Sequence, residues 1–143
     1  MTDKVFIDTN ILVYAYLDAD KMESHSKHLK AVECLQGLYR DAEMIISVQV
    51  LSEYYSALLK NKINDLDIQE SAHQLAQAIE VVTLSKDTVT NSYLVRNRYR
   101  YSYWDSLIIA SALENDCTKL FSEDLQNHQI IEGRLTISNP FTD

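Results

Sequence analysis

Short apolar runs that alternate with helix-periodic segments constrain the fold of this chain more than any other feature of its sequence. The runs cover 5–7, 44–47, 81–84 and 119–122, and a fifth covers 135–137. Between the first four, apolar residues recur at three- and four-residue spacing, as they do along one face of a helix. Strands joined by helical crossovers are parallel and form one sheet with helices on its faces. The pattern therefore predicts an α/β fold, a three-layer α/β/α sandwich around a central, mostly parallel sheet of four to five short strands.

Helix boundaries are predicted from capping residues and apolar stripes. Asp67 with Glu70 resembles a capping box that opens one helix, and Ser85 can cap the next. The predicted helices cover about 11–17, 24–40, the stripe 51–59, 67–79, 85–98 and 104–115. The last of these has almost no polar face beyond its first turn, so we expect it to lie deep against the sheet.

The composition limits the class of protein. The chain has 143 residues, the commonest size for one domain, and we expect a single domain over 1–143. Only two glycines and one proline occur, which disfavours a turn-dense all-β sandwich. The net charge of -8 excludes the overall basic field of a typical nucleic-acid-binding protein.

The sequence also bears on location and redox state. No apolar stretch approaches the roughly 20 residues that a membrane span needs, and acids flank the first apolar run, unlike the core of a signal peptide. We therefore expect a cytoplasmic protein that does not associate with membranes. Cys34 and Cys117 lack the spacing of a zinc site, and we expect both to be reduced thiols.

Four acidic residues come from segments that are far apart in the chain. Asp8 ends the first predicted strand, and Glu53 lies in the first turns of the helix after the second. Asp105 opens the buried helix, and Asp124 follows the fourth strand by two residues. Because the functional crevice of an open α/β sheet lies at the carboxyl ends of its strands, we expect these four side chains to share one edge of the sheet.

Clustered carboxylates without clustered His or Cys select hard cations such as Mg²⁺ or Mn²⁺. Such a site holds one or two ions, which activate a water for attack on a phosphodiester and neutralise the leaving oxygen. The four acids therefore predict hydrolysis of phosphate esters at a carboxylate-bound metal.

Each acid also has a purely structural interpretation. Asp8 and Asp105 can cap helices and complement the helix dipole, worth roughly 0.3–1 kcal/mol each. Glu53 can be a solvated helix residue, and Asp124 can belong to a turn. Against these interpretations stands the coincidence of the four at one edge, where uncompensated like charges repel and raise one another's pKa values.

Five short motifs follow one another along the chain. They are VFIDTN at 5–10, QVLSE at 49–53, YWDSLI at 103–108, LFSEDLQ at 120–126 and SNPF at 138–141. Together they resemble the PIN-domain family over essentially the whole chain, and most closely its VapC-type toxins of toxin–antitoxin pairs. The resemblance implies a PIN-like three-layer fold and a Mg²⁺- or Mn²⁺-dependent endoribonuclease that hydrolyses RNA.

The resemblance also implies roles for individual residues and partners. Asp8, Glu53, Asp105 and Asp124 fall on the family's acidic positions, as catalytic and metal-binding residues. Asn10 and Ser122 fall on its site-supporting positions. The implied partners are an RNA substrate, a cognate antitoxin that covers the active-site groove, and a second copy in a homodimer. One departure is His128, where the family's Asp-Leu-Gln-x-Gly-Gln stretch usually has glycine.

A basic and aromatic segment directly precedes Asp105. Arg96, Arg98 and Arg100 alternate with aromatic residues there. Arginine binds phosphates and aromatic rings stack on unpaired bases, so the segment predicts contacts with single-stranded RNA. In the alternative interpretation the tyrosines pack against the protein and the arginines are solvated.

Two other functions compete with the nuclease. One is a haloacid-dehalogenase-like phosphatase with Asp8 as its covalent nucleophile, although that family's motif needs a second Asp where this chain has Asn10. The other is a catalytically idle PIN-like module that only binds a protein partner. All four acids are present, which favours the metal-dependent ribonuclease.

Overall fold

The computed structural model describes residues 3–17 and 22–142. The strands in these ranges are β1 (Lys4–Ile7), β2 (Glu43–Ser47), β3 (Glu80–Val82), β4 (Lys119–Phe121), β5 (Ile130–Ile131) and β6 (Leu135–Ser138). The helices are α1 (Thr9–Tyr16), α2 (Met22–Asp41), α3 (Val48–Lys60), α4 (Asp65–Ala78), α5 (Lys86–Tyr99) and α6 (Tyr103–Glu114).

The strands form one sheet in the order β3-β2-β1-β4-β6-β5, and every pairing is parallel except that of β5 with β6. The helices pack in two groups, α1 to α4 and α5 with α6. The predicted α/β sandwich with a mostly parallel sheet is confirmed, with six strands in the described ranges where four to five are predicted. The extra strand, β5, has two residues, too few to show any periodicity in the sequence.

The pairing register of β1 with β4 determines which residues lie side by side at the carboxyl edge of the sheet. The central strand β1 pairs with β4 so that Ile7 lies opposite Phe121. The next residues, Asp8 and Ser122, therefore leave the sheet side by side. On the other flank, Ser47 ends β2 and caps α3, because its Oγ accepts the Val50 N–H at 3.3 Å.

Helix α6 is the most deeply buried helix segment, as predicted from its apolar sequence. All eight residues from Ser106 to Leu113 are buried. The helix begins at Tyr103, one residue earlier than predicted, because Ser102 is its N-cap and accepts the Asp105 N–H at 3.2 Å.

The capping box predicted at Asp67 and Glu70 is wrong. Asn64 caps α4 instead, since its Oδ1 accepts the N–H groups of Leu66 and Asp67 at 3.0 and 3.4 Å. Helix α4 therefore begins at Asp65, and Asp67 lies in its first turn, where a negative charge complements the helix dipole.

Both cysteines are free thiols, as predicted. Burial raises the pKa of Cys34 to about 11 and that of Cys117 to about 12. Thiols with such pKa values carry almost no thiolate at neutral pH and are unreactive. In the described part of the chain, no helix combines the length and hydropathy that crossing a bilayer requires.

Candidate active site

Asp8 lies at the carboxyl end of β1 and is 5% exposed. Its backbone N–H donates to the Phe121 carbonyl at 2.9 Å, which continues the parallel pairing for one more residue. Its Oδ1 accepts the Thr9 N–H at 2.7 Å, so Asp8 is the N-cap of α1. Its Oδ2 accepts the Ser122 hydroxyl at 2.8 Å. One oxygen of the Asp8 carboxylate thus caps α1, and the other contacts the segment after β4.

Ser122 connects Asp8 to the loop after β4. Its side chain is fully buried; it donates to Asp8 and accepts the Asp124 N–H at 3.3 Å. A single hydroxyl therefore orients one of the acids and the backbone of another.

Glu53 is held in the second turn of α3 by two neutral donors. The Thr9 hydroxyl donates to its Oε1 at 2.8 Å, and the Gln49 amide donates to its Oε2 at 3.2 Å. The same Gln49 Nε2 also donates to the Trp104 carbonyl at 3.1 Å. Sequence reasoning missed Thr9 and Gln49, although Gln49 precedes Glu53 by one helical turn and Thr9 adjoins Asp8.

Asp124 and Asp105 complete the edge. The Asn10 amide donates to Asp124 Oδ2 at 2.7 Å, which joins α1 to the loop after β4. Asp105 is the third residue of α6 and is not its cap, because Ser102 has that role. The interpretation of Asp105 as a helix cap is therefore wrong.

The four carboxylates act on one another electrostatically. Burial raises the pKa of Asp8 to about 6, the hydrogen bonds from Ser122 and Thr9 oppose this, and the charges of Asp105 and Glu53 raise it further. Burial also raises the pKa of Asp105; the Ser102 contact opposes this, and the charges of Asp124 and Glu53 add to the rise. Like charges from four separate segments therefore meet at one sheet edge, as the topology predicts.

The residues have the donor chemistry of a hard-cation site. Carboxylate oxygens dominate, and the hydroxyls and amides around them are neutral. Across the part of the chain that the structure describes, no three His, Cys, Asp or Glu side chains stand close enough together to hold an ion as they are placed. Glu53 and Asp124 are instead directed toward Thr9, Gln49 and Asn10.

The predicted arginine segment has two different environments. Arg98 forms an ion pair with Glu132, in which the single nitrogen Nη1 donates to both carboxylate oxygens at 2.7 and 2.6 Å. Arg96 and Arg100 line a polar cavity of about 510 Å³ together with Asn97. Arg96 also donates to the Tyr101 carbonyl at 2.8 Å, and the Tyr101 hydroxyl accepts the Gln126 N–H at 3.1 Å. The segment is thereby attached to the loop that carries Asp124.

His128 has a φ of 71°, in the left-handed region that favours glycine. Its backbone N–H donates to the Ile137 carbonyl at 2.8 Å, which anchors the turn to β6. The turn that glycine usually makes in the resembled motif is thus formed here with a non-glycine residue.

Comparisons with known proteins agree with this architecture. The PIN-domain family model matches residues 5–130. A toxin–antitoxin complex from Klebsiella pneumoniae has 18% sequence identity and a TM-score of 0.71, over 95% of this chain and 97% of that chain. VapBC2 from Rickettsia felis, bound to a promoter DNA fragment, has 20% identity and a TM-score of 0.70, over 95% and 98%.

A third similar structure is VapC20 from Mycobacterium tuberculosis, a toxin that cleaves the sarcin-ricin loop. It has 20% identity and a TM-score of 0.63, over 84% of this chain and 89% of that chain. A comparison with curated protein sequences finds no significant match. At these identities the solved structures establish the fold, and the family model adds a sequence match over most of the chain. The chain belongs to the PIN-domain family.

Proposed function

We propose that this protein is a metal-dependent endoribonuclease and the toxin of a toxin–antitoxin pair. The observation that carries the proposal is the meeting of Asp8, Glu53, Asp105 and Asp124 within electrostatic reach at one sheet edge. Among the similar structures are a toxin–antitoxin complex and a toxin that cleaves the sarcin-ricin loop. Both similarities support this function for a PIN-domain chain.

The donor set fits one or two Mg²⁺ or Mn²⁺ ions, held by Asp8, Glu53, Asp105 and Asp124. A bound ion supplies Lewis acidity, which lowers the pKa of a water and neutralises the leaving oxygen. Burial is the main cause of the raised pKa values of Asp8 and Asp105, and repulsion between the carboxylates adds to it; a bound cation would oppose both effects by favouring the charged forms.

The chain's own residues position these carboxylates. Ser122 and the Thr9 N–H fix both oxygens of Asp8. The Thr9 hydroxyl and Gln49 orient Glu53. Asn10 holds Asp124. Because all of these donors are neutral, they orient the acids without cancelling their charge.

The proposal extends to the RNA path and the partners. Arg96 and Arg100 bind RNA phosphates from the polar cavity that they line, and Arg98 contributes less because Glu132 already occupies its guanidinium. A cognate antitoxin, homodimer formation and a cytoplasmic location are also part of the proposal. Changing Arg96 or Arg100 to Ala should lower the slope of log affinity against log salt by about 1 for each phosphate that the variant no longer binds.

The direct test is incubation of the purified chain with total RNA and Mn²⁺, followed by mapping of the cleaved ends. Asp8→Asn should lower the cleavage rate at least about 100-fold. Asp41→Asn, an exposed acid at the end of α2, is the matched control and should cleave like the unmodified chain. Equal cleavage by the unmodified chain and Asp8→Asn would trace the activity to a contaminant and remove the basis of the proposal.

One observation favours the catalytically idle, protein-binding module as a second candidate: within the described ranges, no three acids converge tightly enough to hold an ion as they stand. A melting-temperature measurement discriminates the two. In the nuclease, Mn²⁺ raises the melting temperature, and Asp8→Asn abolishes the rise. In the idle module, Mn²⁺ has no effect. No observation favours the phosphatase, because position 10 is Asn and its amide contacts Asp124.

A further inference from the structure

An open, mostly apolar cleft lies beside Glu53. Its volume is about 480 Å³, within the range of small-ligand sites. It is lined by Val48, Gln49, Ser52, Glu53, Leu84 and Trp104, and we call it the Trp104 cleft. Trp104 is 61% exposed and Val48 38% exposed. A large aromatic surface thus remains open to solvent within the same cleft as one of the four carboxylates.

The tryptophan is held in place by its surroundings. The Tyr103 ring packs edge-on against it at a centroid distance of 5.0 Å, and Tyr93 packs on Tyr103 at 6.4 Å. The Trp104 carbonyl accepts the Gln49 amide, which also donates to Glu53. Because one amide joins both residues, the backbone of Trp104 is tied to the Glu53 carboxylate, and the Tyr103 ring supports the indole from one side.

Gln49 supplies a second, independent observation. The residue is 8% exposed, and its Oε1 is buried with no hydrogen-bond partner among the described residues. Its orientation is fixed, since its Nε2 already faces two acceptors, Glu53 Oε2 and the Trp104 carbonyl. An unpartnered buried acceptor is costly. The oxygen has almost no accessible surface, so an N–H donor in the adjoining cleft satisfies it once the side chains that cover it shift.

Resting on the proposed nuclease function, we infer that the Trp104 cleft binds an unpaired nucleobase of the RNA next to the scissile phosphate. A phosphodiester that reaches Glu53 and its partner acids carries its flanking bases to the surfaces beside them. A base offers a flat face for the indole and N–H donors for Gln49, and it brings no negative charge toward Glu53. An apolar side chain of a protein partner would fill the walls but leave the Gln49 oxygen unpaired.

The chain contains one tryptophan, so its fluorescence reports on the cleft directly. In EDTA, which prevents cleavage, the full chain is titrated with single-stranded decaadenylate and with an abasic ribose-phosphate decamer of equal charge. We expect decaadenylate to quench Trp104 fluorescence and the abasic decamer to leave it unchanged. Equal responses to the two, or no response to either, would overturn the inference.

Variants provide the second arm, with the anisotropy of labelled decaadenylate as the measurement. Trp104→Ala should weaken binding about 5- to 100-fold, the range expected for removing one base–aromatic stack, and Trp104→Phe should recover most of it. Tyr39→Ala removes another exposed aromatic residue, 68% exposed on α2, and should bind like the unmodified chain. Unchanged affinity in Trp104→Ala would count against the cleft.

Cleavage and sedimentation separate the remaining outcomes. If the unmodified chain cuts RNA with Mn²⁺ but decaadenylate does not quench Trp104, the cleft is wrong and the proposed function stands. If decaadenylate quenches but no RNA is cut under any metal condition, the nuclease is wrong and the cleft is a base-binding site. If Trp104→Ala converts a dimer to a monomer in sedimentation, the cleft is an interface between copies and the inference fails.

Discussion

Two neighbouring acids on the same loop, Glu123 and Asp124, differ in how the protein treats their charge. Glu123 Oε1 accepts the Lys27 ammonium at 3.0 Å and the Tyr14 hydroxyl at 3.2 Å. The Lys27 ammonium also lies over the rings of Tyr14 and Phe141, 5.0 and 5.8 Å from their centroids. Asp124 accepts only a neutral amide, from Asn10, among the side-chain contacts described for it.

The difference extends to pKa values. The hydrogen bond to Glu123 raises the pKa of Lys27, which stabilises its charged form. Burial raises the pKa values of Asp8 and Asp105, and the charges that act on them, which are those of other carboxylates, raise both further. Glu123 thus has a cation from its own chain, whereas the side-chain hydrogen bonds described for Asp8, Glu53 and Asp124 come from neutral groups, which leave the carboxylate charges uncompensated. Substitutions on each side of this contrast should have effects of different sign and size, and the largest is expected at Asp8.

Asp8→Asn should stabilise the metal-free protein at pH 7.5, by on the order of 2 kcal/mol. The sign follows from the raised pKa of about 6 in the folded state: the stabilising contribution of protonated Asp8 is complete below the unfolded pKa near 4 and is lost as pH rises through 6. The difference between the two proteins should therefore disappear at pH 4. Urea unfolding in EDTA at both pH values measures the difference in the free energy of unfolding. If Asp8→Asn is less stable than the unmodified protein at pH 7.5, the site acids do not differ from Glu123 in the way described.

Ser122→Ala should raise the pKa of Asp8 further and destabilise the protein by about 1.5 kcal/mol at pH 7.5, because a buried carboxylate loses its hydroxyl donor. Ser111→Ala is the matched control, since the Ser111 Oγ is buried and has no hydrogen-bond partner among the residues that the structure describes. Its removal should cost close to nothing. Carboxyl NMR titration of Asp8 together with urea unfolding makes the comparison, and equal destabilisation of both variants would refute it.

Glu123→Gln should destabilise the protein by about 1 kcal/mol, the opposite sign to Asp8→Asn. The pair is worth only this much because the side chains of Lys27 and Glu123 are 40% and 22% exposed, so solvent screens their attraction. A double-mutant cycle with Lys27→Met isolates the coupling. A coupling of zero would show that Glu123 is no better compensated than the site acids.

His128→Gly should stabilise the protein by about 0.5 kcal/mol. Glycine relieves the cost of the left-handed backbone at φ 71°, and the greater freedom of glycine in the unfolded chain offsets part of the gain. Thermal unfolding gives the sign. A lower stability would show that the contact between the imidazole and the Asn127 amide, 3.2 Å away, outweighs backbone strain in the loop that follows both acids.

The sequence was sufficient for the parts of the fold that depend on local pattern. Apolar runs with helical spacing between them predict the parallel sheet, and the position of Asp8 at a strand end predicts its place at the functional edge. Local pattern does not distinguish two residues that have the same capping chemistry. Asn64 and Asp67 are both plausible caps, and only the path of the chain decides which of them accepts the first backbone N–H groups of α4.

The site was predicted less completely than the fold. Thr9 and Gln49 act through Glu53, and Thr9 is 44 residues from it, so their roles depend on distances that no spacing rule contains. The pairing of Arg98 with Glu132 spans 34 residues and is equally hidden in the sequence. The positions of the four acids relative to the predicted strands and helices identified them, and the family resemblance agreed; the side-chain network around them came only from three-dimensional packing.

The parallel pairing of β1 with β4 has a consequence for biosynthesis. Phe6 lies beside Leu120, and Asp8 contacts Ser122, 114 positions later in the chain. While the ribosome is still making the protein, the emerging segment therefore lacks the partner that buries β1 and orients Asp8. The sheet edge that holds Asp8 can therefore assemble only after the chain as far as Ser122 has been synthesised and has left the ribosome.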